Sequence, residues 1–507
     1  PNVRQLSLHL FGETEMQHPR NTLVSMQFGQ FVAHDLSFTA DAGGIQCCAD
    51  GKMVPKALAS PRCLPIEVAD DDPVLAGEGI QCMNLVRTKT TLEDACSSLA
   101  AGEESAEQLS SVTAFLDLSV VYGNSLEQTN SLRTFSWGQL QAETRNGKQW
   151  LPVHPNKTTT CVSKDAADDA CYLTGDVRSN QSPHLTLLHQ AFHLEHNRLA
   201  RELADLNAGW DDETVFQQAR KLNIAQYQRI VYYEWLPIYL GAENMRAAGV
   251  LPALELPGFA DDYDASVDPT VSNAFATAAF RFFHNLIAGH LELYQESGTE
   301  QSLLSDSVRL SDWLRRPGVL EQSNNRELLT RGMTSQPHDA ANDQLTPEAK
   351  HFLFRNANPY GADLKAIDIH RARDHGLARY NDFRELCGLG RATRWEDLYG
   401  EIPRATVDRL ARWYDTVDDV ELAVAGALES HREAGATVGP TFLCILLEQF
   451  RRTRTGDRFF FENGVGAGFD ASQLGELRKA TIARLLCDNT EGLRRMQPNA
   501  FLLPEAD

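Results

Sequence analysis

The chain has 507 residues, with 47 basic and 69 acidic side chains and a formal net charge of −22. Such an excess of negative charge repels phosphate backbones and anionic bilayers, which argues against nucleic-acid binding and against electrostatic docking on acidic lipids. No run of about 18 apolar residues is present, so no membrane-spanning helix is expected.

The first residues, PNVRQLSLHLFG, lack the basic-then-apolar order of a signal peptide, and Pro1 reads as a mature or trimmed start. Length alone allows about three domains. Neither a low-complexity linker nor an internal repeat divides the sequence, so one large domain over 1–507 is expected. Helical periodicity predicts helices over 21–36, 107–121, 185–206, 216–240 until Pro237 breaks it, 270–290, 404–429, 439–451 and 471–486. Alternating strand patterns are scarce and short, so the fold class is mainly α with little β. Stretches rich in Gly, Pro, Asp and Ser, at 41–104, 144–180, 251–268 and 296–365, read as long loops, which in a compact domain are functional or tied down.

Cysteines supply the ties. There are ten, with Cys47, Cys48, Cys63 and Cys82 in the first loop and Cys161 and Cys171 in the second. That is more than a reduced cytosolic enzyme needs, and it points to an oxidising, exported setting: secreted, extracellular or stored in a secretory granule. Asn156-Lys157-Thr158 is a glycosylation acceptor in that setting, or a chance tripeptide.

Chemistry enters at FGQFVAHDLSFTA, residues 28–40, where Gln30 and His34 are four apart and share one helix face. Such a pair on its own reads as a satisfied core histidine. His189, His193 and His196 lie on one predicted helix, but the HExxH order of a zinc enzyme is absent, and Glu195 and Arg198 read as solvent-facing charge. TAFLDLS, 113–119, offers the oxygens of Thr113, Asp117 and Ser119 with the Phe115 carbonyl between them. That set suits a hard cation such as Ca²⁺, with Asp35 as a second carboxylate, although runs of this kind also cap helices.

Further stretches are specific in combination: TGDVRSNQSPHLTLL around Arg178, EHNRLA at 195–200, AFRFFHNLI from 279, AIDIHRARDHG at 366–376, and a tail with VGPTFLCILLEQFRRTRTGDRFFFEN and LLCDNT. In order, and through nearly the whole chain, they resemble the animal-type haem peroxidases. The resemblance implies haem b, Ca²⁺ and hydrogen peroxide as cofactors and substrate. It makes His34 the acid–base that moves a proton between the peroxide oxygens, Arg178 the cation beside the departing oxygen, and Gln30 the holder of water or halide above the iron. His284 becomes the iron ligand and Arg281 the partner of a haem propionate. Asp368 stands where the family commonly has asparagine beside the far nitrogen of that ligand, which predicts a lower Fe(III)/Fe(II) potential. Arg371 falls near the haem edge or a propionate, or in an ordinary helix-surface salt bridge. The calcium set carries over as Asp35, Thr113, Phe115, Asp117 and Ser119. Disulfides Cys387–Cys444 and Cys161–Cys171 are implied; the pairing among Cys47, Cys48, Cys63 and Cys82 stays open, as do the fates of Cys96 and Cys487.

Three departures matter. Ala33 and Gln181 stand where mammalian members have the acids that form haem esters, and Ser182 where one has a sulfur-linked methionine, so non-covalent haem and poor chloride oxidation are expected. An unrecognised acid such as Asp176 could take their place. Iodide, bromide, thiocyanate and phenolic or tyrosyl donors are the expected substrates. The Asn180-Gln181-Ser182 sequon is expected to be unused. A fatty-acid dioxygenase or cyclooxygenase reading meets Arg281 where that branch has its radical tyrosine. A peroxinectin-like adhesion role, with extracellular matrix or cell-surface partners, finds no RGD or KGD, and Thr455-Gly456-Asp457 lies in general family sequence.

Overall fold

Asn2 opens the first helix. Its Oδ1 accepts from the backbone N–H of Arg4 at 2.8 Å and of Gln5 at 3.1 Å, satisfying donors that the first turn leaves without partners. Helix α1 (Val3–Leu10) then buries Val3, Leu6 and Leu10 at spacings of three and four. The computed structural model describes residues 1–39, 44–91, 106–162, 170–252, 258–296, 302–431 and 435–504.

Strand β1 (Gln17–Thr22) leads directly into α2 (Leu23–Leu36). This helix is buried nearly all round, as its apolar sequence requires, and it forms the centre of the molecule. Helix α3 (Pro183–Leu206) starts where the Ser182 hydroxyl caps the N–H of Leu185 at 3.2 Å, with Pro183 in the first turn. Helix α4 (Asp212–Ile230) follows, capped by Asp211 on the N–H of Thr214 at 2.8 Å. It passes into a π-helical turn, Val231–Trp235, just ahead of Pro237, whose missing N–H interrupts the regular ladder. Phe28 and Phe31 of α2 are fully buried against Phe192 of α3, Tyr227 of α4 and Trp235, at ring separations of 5.1–6.4 Å. Burial of each ring contributes roughly 1.5–3 kcal/mol.

On the other side of α2 runs a 3-10 helix, Ala279–Leu286. A Cβ added at Gly29 would lie 2.6 Å from the Phe283 ring, so the two elements meet in direct contact. Strands β2 (His290–Glu296) and β3 (Ser302–Arg309) form an antiparallel hairpin, and β4 (Pro337–Asp339) pairs with β1. Helix α5 (Leu364–Asp374) is capped by Asp363 on the N–H of Ala366 at 3.0 Å, and α6 (Pro440–Thr455) closes the same side. All sheets among the described residues are two-stranded. The chain is mainly helical, as the periodicity predicts.

Several expected helices differ. Residues 106–118 are not helical: Leu118 has φ +55°, and the Thr113 and Asp117 side chains engage nearby backbone, so only Ser119–Tyr122 forms a turn of helix. The stretch 404–429 is two helices, Arg404–Leu410 and Leu422–Leu428, and 471–486 divides into Ala471–Leu477 and Ile482–Asn489. The expected loop 296–365 contains β3 and a helix, Asn325–Ser335, that buries Leu329 and Met333. Disulfides join Cys47 to Cys63, Cys48 to Cys82, Cys161 to Cys171 and Cys387 to Cys444, which fixes the pairing left open by sequence. Cys487 is a free, half-buried thiol; Cys96 lies outside the described residues. Among the described residues no helix is long and apolar enough to cross a membrane.

Candidate active site

A cavity of about 300 Å³ lies between α2 and the 3-10 helix, walled by Met26, Phe283, Ile287, Leu310 and Leu353 among other apolar side chains. Gln30, Ala33, His34, Arg178, Gln181, Arg281 and His284 all line it. The cavity thus brings together seven of the expected site residues from three distant segments.

His34 comes from the last turn of α2 and is 8% exposed, with Nδ1 buried and unpartnered among the described residues. Burial, and then the charge of Arg178, hold its pKa well below that of an ordinary histidine, so the ring is neutral. Arg178 is fixed by four contacts. Nη2 donates to the His34 carbonyl at 2.8 Å, Nη1 to the Ser37 carbonyl at 2.9 Å, Nε to Asp176 Oδ1 at 2.9 Å, and the guanidinium lies 4.0 Å over the Phe38 ring. Asp176 is the counter-ion: burial opposes its charge, but Arg178 outweighs burial and holds the carboxyl below its usual range. This residue, considered from sequence only as an ester-forming acid, is committed to Arg178. Its place two residues before Arg178 in TGDVR was the available signal.

Beside the histidine runs an amide chain. The Ser182 hydroxyl donates to Gln27 Oε1 at 3.4 Å, Gln27 Nε2 to Gln30 Oε1 at 2.8 Å, and Gln30 Nε2 to Gln181 Oε1 at 3.2 Å. Gln181 thus anchors Gln30. Asn180 is buried, and its Nδ2 donates to the Tyr172 carbonyl at 2.8 Å, so that sequon is inaccessible.

The opposite wall centres on Asp368 of α5, which is 2% exposed. His284 Nδ1 donates to its Oδ2 at 2.8 Å and Arg281 Nη1 to its Oδ1 at 2.9 Å, while Lys365 Nζ lies 3.8 Å from Oδ2. Burial raises the carboxyl's pKa, but these three partners together bring it down to about 2. The hydrogen bond at Nδ1 leaves Nε2 as the nitrogen of His284 available to the cavity. Arg371 is not among the cavity-lining residues. Its Nη1 donates to the Val86 carbonyl at 2.8 Å, Thr88 Oγ1 at 3.0 Å and Asp374 at 2.8 Å, so its contacts include the ion pair that the sequence offered as one alternative.

Asp35, adjacent to His34, turns away from the cavity into the expected cation set. Ser119 Oγ donates to Asp35 Oδ1 at 2.6 Å and the Leu118 N–H to Oδ2 at 3.2 Å. Thr113 Oγ1 is 3.0 Å from Asp117 Oδ2 and 3.3 Å from the Phe115 carbonyl. Burial, and then the Asp117 charge, push Asp35 up to about 8. A buried and a half-buried carboxylate that repel each other amid neutral oxygens suit a hard divalent cation. No group of three His, Cys, Asp or Glu side chains suited to a metal occurs among the described residues, so zinc chemistry on the α3 histidines gains no support. His193 and His196 hold the Gln141 and Gly138 carbonyls at 2.7 and 2.9 Å. Glu195 is buried rather than solvent-facing, because Arg198 and Asn489 both bind it at 2.8 Å.

Comparison with known proteins agrees with this geometry. The family described as "Animal haem peroxidase" matches residues 1–501. The chain belongs to the animal haem peroxidase family. It is 47% identical to a peroxidase of Drosophila melanogaster over 510 residues, covering 99% of this chain and 72% of that protein. It is 37% identical to the chorion peroxidase of the same fly, covering 97% and 60%, and 33% identical to the human peroxidasin homolog, covering 100% and 34%. The chain thus spans only part of the length of these relatives. Among solved structures, peroxidase A from Dictyostelium discoideum superposes with a TM-score of 0.81 at 29% identity, covering 99% of this chain and 91% of that one. The rice fatty acid alpha-dioxygenase superposes at 0.75 with 17% identity, covering 99% and 81%, a likeness of fold.

Proposed function

We propose that the chain is a peroxidase domain that consumes hydrogen peroxide and oxidises phenolic or tyrosyl donors, iodide, bromide or thiocyanate. The observation that carries this reading is one apolar cavity lined by three histidines, two of them of opposite character: His34 with an unpartnered nitrogen and His284 tied through Nδ1 to a carboxylate. The residues fit haem b. An imidazole oriented by a carboxylate is what an iron-ligating histidine requires, the apolar walls suit a porphyrin, and Arg281 suits a propionate. When bound, haem b supplies the iron centre that holds the two oxidising equivalents of peroxide.

The chain's own residues do the rest. His284 would hold the iron through Nε2, with Asp368 fixing its tautomer. His34, neutral through burial, takes the proton from one peroxide oxygen and returns it to the other. Arg178 presents fixed positive charge where the departing oxygen becomes negative. Gln30, steadied by Gln27 and Gln181, positions the small molecule beside His34.

Ala33 and Gln181 support non-covalent haem, since neither side chain can form an ester, and Asp176 is engaged elsewhere. Without such links chloride is a poor substrate. Calcium at Asp35, Thr113, Phe115, Asp117 and Ser119 would hold the end of α2 and with it His34. Four disulfides, together with relatives named chorion peroxidase, support a secreted or extracellular setting, with matrix or cell-surface proteins as partners. Adhesion through Thr455-Gly456-Asp457 is unsupported because Asp457 is buried, and oxygenase chemistry meets Arg281 in place of the radical tyrosine.

The test is acid-acetone extraction of the haem, followed by turnover with chloride, bromide, iodide and a phenol. Extractable haem with iodide and phenol turnover is expected. Haem retained on the protein, or rapid chloride oxidation at neutral pH, counts against the reading.

A further inference from the structure

Lys365 has no part in the chemistry above, yet it is one of the most deeply buried lysines in the molecule, with a side chain 3% exposed. It precedes Asp368 by three residues on α5, so both side chains project from one face. Its ammonium lies 4.8 Å over the ring of the fully buried Phe11 and 3.8 Å from Asp368 Oδ2. The nearby carboxylate of Asp363 is already taken by Arg4 at 2.6 Å. A buried ammonium is tolerated only with an anionic partner. An apolar side chain of similar length would pack on Phe11 equally well, so packing alone does not call for a lysine here.

What the lysine changes is the carboxylate that receives the His284 proton. Asp368 Oδ2 is shared between His284 Nδ1 and the ammonium, and Oδ1 is held by Arg281. We propose that Lys365 is a positioning residue that, together with Arg281, neutralises Asp368, so that His284 donates its N–H to a charge-compensated carboxylate and not to a bare anion. This rests on the proposed role of His284 as the iron ligand. A bare carboxylate draws the proton toward itself and makes the imidazole more anionic, which favours ferric over ferrous iron. Lys365 limits that effect, and the low potential expected from Asp368 alone is moderated accordingly.

The experiment compares the haem-loaded parent with Lys365→Met, Lys365→Arg, Asp368→Asn, the Lys365→Met/Asp368→Asn double variant and His284→Ala. Two quantities are read: the Fe(III)/Fe(II) potential by spectroelectrochemistry and the iron–histidine stretching frequency of the ferrous form. Lys365→Met is expected to lower the potential and raise the frequency, and Lys365→Arg to restore both towards the parent. With asparagine at 368, removal of the lysine should leave the frequency unmoved. If Lys365→Met does not take up haem, Lys365→Gln replaces it. Unchanged potential and frequency in the lysine variants, while Asp368→Asn shifts both, would overturn the proposal and leave the ligand assignment standing. Persistence of the iron–histidine band in His284→Ala would overturn the assignment itself.

Discussion

Gly29 is where the two walls of the cavity touch, and Gly29→Ala tests that contact. The added Cβ would fall 2.6, 2.7 and 2.8 Å from three atoms of the Phe283 ring. That ring has little room to retreat. It stacks on Trp235 at 5.4 Å and meets Tyr239, Phe280 and Phe282 at 4.9, 5.6 and 4.0 Å. In an unobstructed helix interior, glycine to alanine gains roughly 0.5–1 kcal/mol. Overpacking of a rigid core costs roughly 1–3 kcal/mol. The net expectation is a loss of about 1–2 kcal/mol, together with weaker haem uptake, since Phe283 directly precedes His284. Gly475→Ala is the control, because its added Cβ in the helix Ala471–Leu477 meets nothing within 4 Å. Urea unfolding midpoints and a haem titration of the three proteins decide the matter. A Gly29→Ala protein as stable as the control, with unchanged haem affinity, would refute the claim that α2 and the 3-10 helix are packed to contact.

Other outcomes follow from the same geometry. Chelation of calcium, or Asp117→Ala, should lower Tm and slow the reaction with peroxide together, because Asp35 is bonded to Ser119 and adjoins His34; loss of neither would remove the cation from the account. His184 is buried with neither ring nitrogen partnered among the described residues, and burial alone lowers its pKa to about 3, so the folded state keeps it neutral while the unfolded chain protonates it below about 6.5. Stability attributable to this residue is therefore present above about pH 6.5 and lost as pH falls, at about 1.4 kcal/mol per unit. His184→Leu should gain about 2 kcal/mol over the parent on moving from pH 7.5 to 5.0 in urea unfolding, and a pH-independent difference would contradict the assignment. Cys387→Ser opens a bridge spanning 57 residues and should cost roughly 4 kcal/mol in the chain-entropy model, read as a lowered unfolding midpoint under non-reducing conditions.

Much of the site was legible because its residues sit in short motifs with fixed local geometry. Helical spacing put Gln30 and His34 on one face but by itself read as a core histidine; it was the family resemblance of the motifs that implied a common site for them with Arg178, Arg281 and His284. What escaped depends on contacts between distant segments or on backbone conformation. The run at 107–121 carries helical periodicity, but Leu118 in the left-handed region and side chains bonding their own backbone prevent a helix. Glu195 and Arg198 look like surface charge until Asn489, far along the chain, covers the carboxylate. Arg371 belongs to the same motif, and its bonds to Asp374 and the 86–88 segment join parts of the chain that the sequence does not bring together. The Lys365–Asp368 spacing was visible in AIDIHRARDHG and the residues before it; its meaning required knowing that both side chains are buried beside His284.

The proposed role of His34 in moving the peroxide proton is read from the stopped-flow rate of reaction with hydrogen peroxide, measured at pH 7 on haem-loaded parent and His34→Ala proteins that show the same ferric spectrum. A fall of roughly 10²–10⁴-fold in the variant is expected; a rate within a factor of about two of the parent would rule that role out.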